Sequence, residues 1–220
     1  MRDVFTADAI TWLTDWRPQA GHAFLGSLPD YSEFPQLTLD EWKGWFMSTA
    51  ELILDKTSPG DVTIFFQSDI RHEGEWVDKG FLVQKAAEKV GAKLLWHKVA
   101  CRAPLGQATF GRPGYSHILC FSRSHRLDQA RSTADVLPEL GDKTWVRGMG
   151  LAVCLQLARF IKEQTPAHTL VQPFCGEGAM LAAANHYGLN GIGVEKSRKR
   201  AERARLLSVQ KLGQGWDLGV

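Results

Sequence analysis

One stretch of the chain, residues 169–197, limits the fold more strongly than any other. A short apolar run is followed there by Gly176 and Gly178, then by an alanine-rich segment at 179–187, and then by a second apolar run that ends in Glu195. Glycine lets a tight turn approach a ligand closely, and the start of the next helix presents unpaired N–H groups. The stretch therefore predicts a strand, a helix and a second strand. It also predicts a ligand-binding turn, with an acid placed where nucleotide-binding sheets hydrogen-bond a ribose.

The length and composition of the chain suit one folded domain, and its net charge is small. The 220 residues are 44% hydrophobic, which is enough to bury the core of one α/β domain. The formal net charge is only +2, so no field over the whole molecule requires a polyanionic partner. Composition alone therefore leaves the ligand open.

The cysteines and the apolar runs exclude several classes of protein. Cys101, Cys120, Cys154 and Cys175 are far apart and lack C-x-x-C spacing, which predicts neither a zinc site nor a disulfide framework. Residues 1–13 carry charged side chains where a signal peptide needs an apolar segment. No apolar run approaches the roughly 20 residues of a membrane helix. We expect a cytoplasmic protein with no metal and no membrane partner.

The segments QPFCGEG at 172–178 and GIGVE at 191–195 carry a family resemblance. Together they resemble the S-adenosylmethionine site of the amino-methyltransferases that modify adenine N6 or cytosine N4 in DNA. The motif of that family reads roughly D-P-F-x-G-x-G, followed by a strand that ends G-[IV]-[ED]. Gln172 stands where the family has Asp. The resemblance implies S-adenosyl-L-methionine as the cofactor.

The resemblance assigns roles to the residues of this motif and to one acid near the start of the chain. Gly176 and Gly178 would bound the methionine part of the cofactor, Phe174 would lie beside it, and Glu195 would take the ribose hydroxyls. Asp8 follows a short strand, as does an acid that lies near the adenine in the family. A helix N-cap role for Thr6 or Asp8 is an equal alternative.

A further cofactor contact is expected at the start of the helix predicted at 151–164. The family places a lysine-proline pair there, next to the cofactor carboxylate. This chain has no such proline. Arg147 and the backbone amides of Met149 and Gly150 could instead bind the carboxylate at the helix N-terminus.

The loop after the second predicted strand resembles the catalytic loop of the same family, [DNS]-P-P-[YFW]. Ser27 matches the first position, Leu28 replaces the first proline, Pro29 matches the second, and Asp30 stands where the aromatic residue should be. In the family the first side chain and the next carbonyl accept hydrogen bonds from the target amine, while the aromatic ring stacks on the base. Here either Tyr31 stacks on the target or Asp30 accepts a proton. The alternative is a plain turn between a strand and a helix.

The rest of the chain completes an α/β pattern. Helices are predicted at about 40–55 and 80–90, and strands at 62–66, 94–99 and 115–122. A capping box, Thr38 to Glu41, begins the first of these helices. The tryptophans of these segments are interpreted as packing residues.

Two basic regions are candidates for contact with the substrate. Arg102 and Arg112 lie in the Gly- and Pro-rich loop at 101–114, where binding residues often gather. A final helix is predicted at 196–212 with six basic residues within ten positions. This helix either contacts the phosphates of a nucleic acid or presents a solvated basic face.

These features predict one Rossmann-like methyltransferase domain over residues 1–220. Residues 1–123 would form the catalytic-loop half, 124–142 a linker and 143–220 the cofactor-binding half. The sheet is expected to be mostly parallel and seven-stranded, with the strand at 115–122 antiparallel at its edge. Because the catalytic loop precedes the cofactor loop, the domain is expected to be circularly permuted.

The predicted function is S-adenosylmethionine-dependent methylation of a base in nucleic acid. At most about 20 residues stand where the family has a large target-recognition segment, which favours RNA, or DNA addressed through a partner. Two alternatives remain open: a small-molecule methyltransferase, and a catalytically silent cofactor-binding subunit. A homodimer or a partner subunit is also left open.

Overall fold

The computed structural model describes residues 1–212 and 215–219. The strands are β1 (Arg2–Thr6), β2 (His22–Gly26), β3 (Thr63–Gln67), β4 (Ile70–His72), β5 (Glu75–Val77), β6 (Lys93–Cys101), β7 (Tyr115–Ser122), β8 (Val136–Leu137), β9 (Thr169–Gln172), β10 (Asn190–Glu195), β11 (Ser208–Leu212) and β12 (Gly215–Gly219). The α-helices are α1 (Ala9–Asp15), α2 (Leu39–Lys56), α3 (Lys79–Lys89), α4 (Leu151–Gln164), α5 (Ala179–His186) and α6 (Arg198–Leu206). None of the described helices is long and apolar enough to cross a membrane.

The main sheet has the order β1-β10-β9-β2-β3-β7-β6-β8. Its pairs are parallel except those that β7 makes with β3 and β6. The predicted mostly parallel α/β fold is therefore confirmed. Eight strands are present rather than seven, because the two-residue β8 adds to the outer side of β6.

The prediction that Tyr115–Ser122 is an edge strand is wrong in one respect. The strand is antiparallel as expected, but it lies inside the sheet between β3 and β6. All but its first residue are buried, as is typical of an interior strand. The first five residues of β6 are exposed or half-buried, and the strand lies nearer the edge of the sheet.

The core consists of two apolar layers, one on each face of the sheet. Alternate side chains of a strand point to opposite faces, so Phe24 packs with α2 and α3 while Leu25 packs with α4 and α5. The largest fully buried side chain is Trp42 on α2. Helices on both faces of a parallel sheet leave the carboxyl ends of its strands as the natural place for a ligand.

The predicted helices are largely confirmed. The capping box of Thr38 and Glu41 begins α2, and α5 ends one residue before its cap at Tyr187, next to Gly188 with φ +73°. The predicted helix at 196–212 is too long, because α6 ends at Leu206 and β11 follows. The Arg2 guanidinium donates to the Ala204 and Leu207 carbonyls at the end of α6. In a longer helix these carbonyls would accept hydrogen bonds from backbone amides further along the chain.

Candidate active site

A cavity of about 340 Å³ opens at the carboxyl ends of β2, β9 and β10. Its wall includes residues from the G-x-G turn, from the loop after β2 and from the segment before α4. A volume of this size lies in the range of small-molecule and cofactor sites. The two halves of the chain thus contribute to one site, which we call the main cavity.

The G-x-G turn forms as predicted. Gly176 and Gly178 have φ angles of +56° and +84°, in the left-handed region that glycine adopts most easily. A Cβ on Gly178 would lie 2.8 Å from the Ala204 Cα, so α6 packs too closely for any side chain there. Both glycines line the main cavity together with Phe174 and Glu195.

Glu195 is buried at the end of β10. Its Oε1 accepts from the Ser197 amide at 2.7 Å and from Nη2 and Nε of Arg200 at 2.9 and 3.1 Å. Each of these hydrogen bonds ends on Oε1, which leaves Oε2 as the oxygen to accept from a ligand. Arg200 also lies over the Trp145 ring, 5.0 Å from its centroid.

Aromatic rings form one wall of the main cavity. The ring centroids of Phe34 and Trp45 are 4.4 Å apart, and those of Trp45 and Phe174 are 6.5 Å apart. Trp145 also lines the cavity and contacts the G-x-G turn near Gly176. Trp42 packs in the core as interpreted from the sequence. Trp45 also packs against the core, and in addition it lines the cavity.

Gln172 lines this cavity and carries an unpaired polar group. Its side chain is buried, yet Oε1 has no hydrogen-bond partner among the described residues. A buried acceptor without a donor costs free energy unless a ligand or water provides one. By contrast, burial raises the pKa of the nearby Cys175 thiol to about 12, so this cysteine is not a ready nucleophile.

Three other predicted cofactor residues line the main cavity, and one of them also caps a helix. Asp8 lines the main cavity and also caps α1, where its Oδ1 accepts from the Ile10 and Thr11 amides. Arg147 and Met149 line the cavity as well. Arg147 forms an ion pair with Glu33, with 3.1 Å between Nη1 and Oε2.

Gly150 lies elsewhere. It is absent from the cavity wall, and a Cβ on it would collide with the Leu140 carbonyl. The first amides of α4 donate to backbone carbonyls of Leu140 and Asp142. The amides of residues 151–153 are therefore satisfied within the protein. The predicted role of the Met149 and Gly150 amides stays a prediction.

The predicted catalytic loop divides into two parts. Ser27, Leu28 and Pro29 line the main cavity. Asp30 caps the short 3-10 turn that follows, and its carboxylate lies 3.1 Å from Arg112 and 3.6 Å from the buried Lys79. Asp30 is thus occupied by two cations rather than presented to the main cavity.

Tyr31 packs away from the main cavity. Its ring contacts those of Trp42 and His72, at centroid distances of 5.9 and 5.1 Å. The ring that reaches the cavity from this segment is Phe34, three residues later. A stacking role for Tyr31 would require this packing to change.

A second, smaller cavity of about 70 Å³ adjoins the first. Ser27, Leu28 and Arg147 line both cavities. Arg102 and Arg112, the two predicted substrate contacts, lie in the wall of this second cavity. Lys79 and Lys143, which sequence reasoning did not single out, lie there with them.

The basic residues near the end of the chain do not form a continuous outer face. Each of three arginines donates a hydrogen bond to a group within the protein. Arg200 donates to the Glu195 carboxylate, and Arg203 Nη1 donates to Glu177 Oε1 at 2.6 Å. Arg205 donates to the Val4 carbonyl at 2.7 Å. These three arginines tie α6 to the main cavity and to β1. The pattern of basic residues on α6 is therefore explained in large part by structure.

One group of metal-binding residue types lies outside both cavities. His117 Nε2 is 3.0 Å from Asp69 Oδ2 and 3.7 Å from Asp78 Oδ1. Asp69 also accepts from Trp76 Nε1 and the Lys79 amide, so protein donors satisfy its oxygens. We interpret this group as a structural hydrogen-bond network.

No protein-family model and no curated protein matches this chain. Solved structures of DNA methyltransferases do match it. A provisionally assigned DNA modification methylase from Thermus thermophilus, complexed with S-adenosyl-L-methionine, is 16% identical, with a TM-score of 0.71 over 94% of each chain. The cytosine-N4-specific PvuII DNA methyltransferase is 14% identical, with a TM-score of 0.70 over 93% of this chain and 85% of its own. The M1.HpyAVI–SAM complex is 14% identical, with a TM-score of 0.63 over 94% and 98%.

These likenesses define the fold. The chain has the Rossmann-like fold of those DNA methyltransferases over nearly its whole length. Identities near 15% leave the activity to be argued from the site itself. The expected circular permutation stays a prediction.

Proposed function

We propose that this chain is an S-adenosylmethionine-dependent methyltransferase that acts on a base in nucleic acid. The observation that carries the proposal is the main cavity, in which Glu195 and the unpaired Gln172 flank the G-x-G turn. A fold on its own does not require two buried side chains with acceptor groups in the wall of one cavity.

The residues present fit the cofactor. The aromatic wall of Phe34, Trp45 and Phe174 suits an adenine ring, and Glu195 suits the ribose hydroxyls. The unpaired Oε1 of Gln172 suits an ammonium group, because it is an acceptor that lacks a donor. When bound, the cofactor supplies an electrophilic methyl group on its sulfonium.

The loop at 27–29 would hold the acceptor against the cofactor. Methyl transfer needs a nucleophile held close and in line, so positioning provides most of the catalysis. Ser27 and the backbone of Leu28 lie on the boundary of the two cavities, where such a nucleophile must sit. Asp30 would act indirectly, because it is paired with Lys79 and Arg112.

The proposed acceptor class rests on the fold neighbours and on local charge. The neighbours are named as DNA methylases. The chain lacks a large segment between its two halves, so RNA, or DNA addressed by a partner, is proposed over a stand-alone sequence-specific enzyme. The smallness of the second cavity favours one competing acceptor, a small anionic molecule.

A methyl-transfer assay tests the proposal. The full chain is incubated with cofactor labelled at the methyl group and with RNA, single-stranded DNA, duplex DNA or mononucleotides. We expect label in a polymer, and mass analysis of its nucleosides identifies the methylated atom. Ser27→Ala should lower the rate by roughly 10²-fold or less, the scale of one positioning contact, whereas the exposed Ser132→Ala should leave it unchanged.

The outcomes separate the alternatives. Label only in small molecules would contradict the nucleic-acid acceptor. Cofactor binding without transfer to any acceptor would instead support a silent cofactor-binding subunit.

A further inference from the structure

The second cavity carries an excess of positive charge. Its wall contains five basic side chains and two acidic ones: Lys79, Arg102, Arg112, Lys143 and Arg147 against Asp30 and Glu33. The cavity lies at the carboxyl ends of β2 and β3, next to the main cavity. Lys79 is buried and Arg102 is half-buried, so part of this positive charge is held away from solvent.

The protein's own carboxylates do not balance these cations. Asp30 is shared between Lys79 and Arg112, at 3.6 and 3.1 Å, and Glu33 is paired with Arg147. Arg102 donates to the Ser68 hydroxyl at 2.8 Å, and no carboxylate of the described residues forms an ion pair with it. Lys143 likewise forms no ion pair with any described carboxylate. Arg102 and Lys143 therefore have no ion-pair partner of their own among the described residues.

One residue of the same cavity wall carries a buried hydrogen-bond donor without a partner. Gln67 at the end of β3 is 2% exposed and lines the cavity, and its Nε2 has no partner among the described residues. An unpaired donor beside unpaired cations is the pattern that an anionic acceptor would satisfy. This observation is independent of the charge count.

The pKa values of two of these cations are consistent with mutual repulsion. Burial first, and then the charge of Arg112, lower the pKa of Arg102, and the charge of Asp30 offsets them in part. Desolvation first, and then the charges of Arg102 and Arg112, lower the pKa of Lys143. An anion among these side chains would relieve that repulsion.

We propose that the second cavity binds a phosphate group of the methyl acceptor, through Arg102, Lys143 and Gln67. The inference rests on the proposed methyltransferase function. Ser27 lines both cavities, so a phosphate held here would place an adjoining group of the same molecule at the boundary with the main cavity. The pocket would thus orient the acceptor by its charge rather than by reading a base.

Calorimetry with inorganic phosphate tests the pocket. We expect one phosphate to bind the full chain, and Arg102→Gln or Lys143→Gln to weaken that binding at least tenfold. Arg159→Gln, an exposed arginine on α4, is the matched control and should leave it unchanged. Binding of S-adenosylmethionine should change less than twofold in all three variants, which separates failure of this inference from failure of the proposed function.

Competition experiments identify the source of the phosphate. A short oligonucleotide that displaces inorganic phosphate, where a mononucleotide does not, would place a strand phosphate in the cavity. The reverse result would place the phosphate of a small acceptor there. Absence of phosphate binding to the wild-type chain, equal binding by the Arg102 and Lys143 variants, or displacement by neither probe would overturn the inference.

Discussion

At the scale of single residues, Gln172 shows how a departure from a motif carries information. Where the family has a carboxylate, this chain has a neutral amide, and the amide is buried with its Oε1 unpaired. An unpaired buried acceptor destabilises the folded protein on its own. In the proposed function, the cofactor donates a hydrogen bond to this acceptor.

Replacing Gln172 should therefore have opposite effects on stability and binding. Gln172→Met has a similar length and no unpaired oxygen, so it should raise the free energy of unfolding of the ligand-free protein by about 1 kcal/mol. The same change should weaken S-adenosylmethionine binding by roughly 10- to 150-fold, the value of one hydrogen bond to a charged group. Urea unfolding and calorimetry measure the two effects.

Gln129→Met is the control, because Gln129 is exposed and lies outside both cavities. It should alter neither quantity. If Gln172→Met destabilises the ligand-free protein and binds the cofactor as tightly as wild type, Gln172 has a purely structural role.

At the scale of elements, short sequence motifs predicted those helices and turns whose structure depends on neighbouring residues in the chain. The glycine turn, the capping box of α2 and the helix α4 follow from propensity and capping, and each was found within a residue or two. The end of α6 did not follow, because Arg2, some 200 positions away, satisfies its last carbonyls. The interior place of β7 likewise depends on its pairing with distant strands.

A hydrogen-bonded chain of His97, His117 and Asp69 joins β6 and β7 to the segment after β3. His97 Nε2 is 2.9 Å from His117 Nδ1. Burial first, and then the charge of His117, lower the pKa of His97 below its ordinary value of 6.5. Burial acts to raise the pKa of Asp69, but hydrogen bonds from His117 and Trp76 lower it below its ordinary 3.8.

This network predicts a loss of stability in acid. Below pH 6.5 the unfolded chain binds the His97 proton more readily than the folded chain, so the free energy of unfolding should fall as pH drops. Asp69 adds a loss of the same sign below pH 3.8. Urea unfolding at a series of pH values measures both.

His97→Gln should flatten the part of the curve just below pH 6.5. It should leave the loss at lower pH, which belongs to Asp69. A variant whose curve parallels the wild type throughout would contradict the assignment to His97.

At the scale of the whole molecule, the site is formed by segments that are far apart in sequence. Parallel pairing of β2 with β9 brings Ser27 and Gln172 to the same edge of the sheet. Sequence reasoning located the G-x-G turn, Glu195 and the loop at 27–29 because each has a local motif. It missed Trp145, Lys79 and Gln67, since their roles depend on the folded chain and no spacing marks them.

Calorimetric titration of S-adenosylmethionine into the full chain tests the central claim most directly. We predict one binding site, and a loss of about 1–3 kcal/mol, roughly 5- to 150-fold in Kd, for Glu195→Gln. Glu202→Gln, an exposed acid on α6 that pairs with Arg198, should bind as wild type. No detectable binding to the wild-type chain, or equal loss in both variants, would contradict the assignment of the main cavity as a cofactor site.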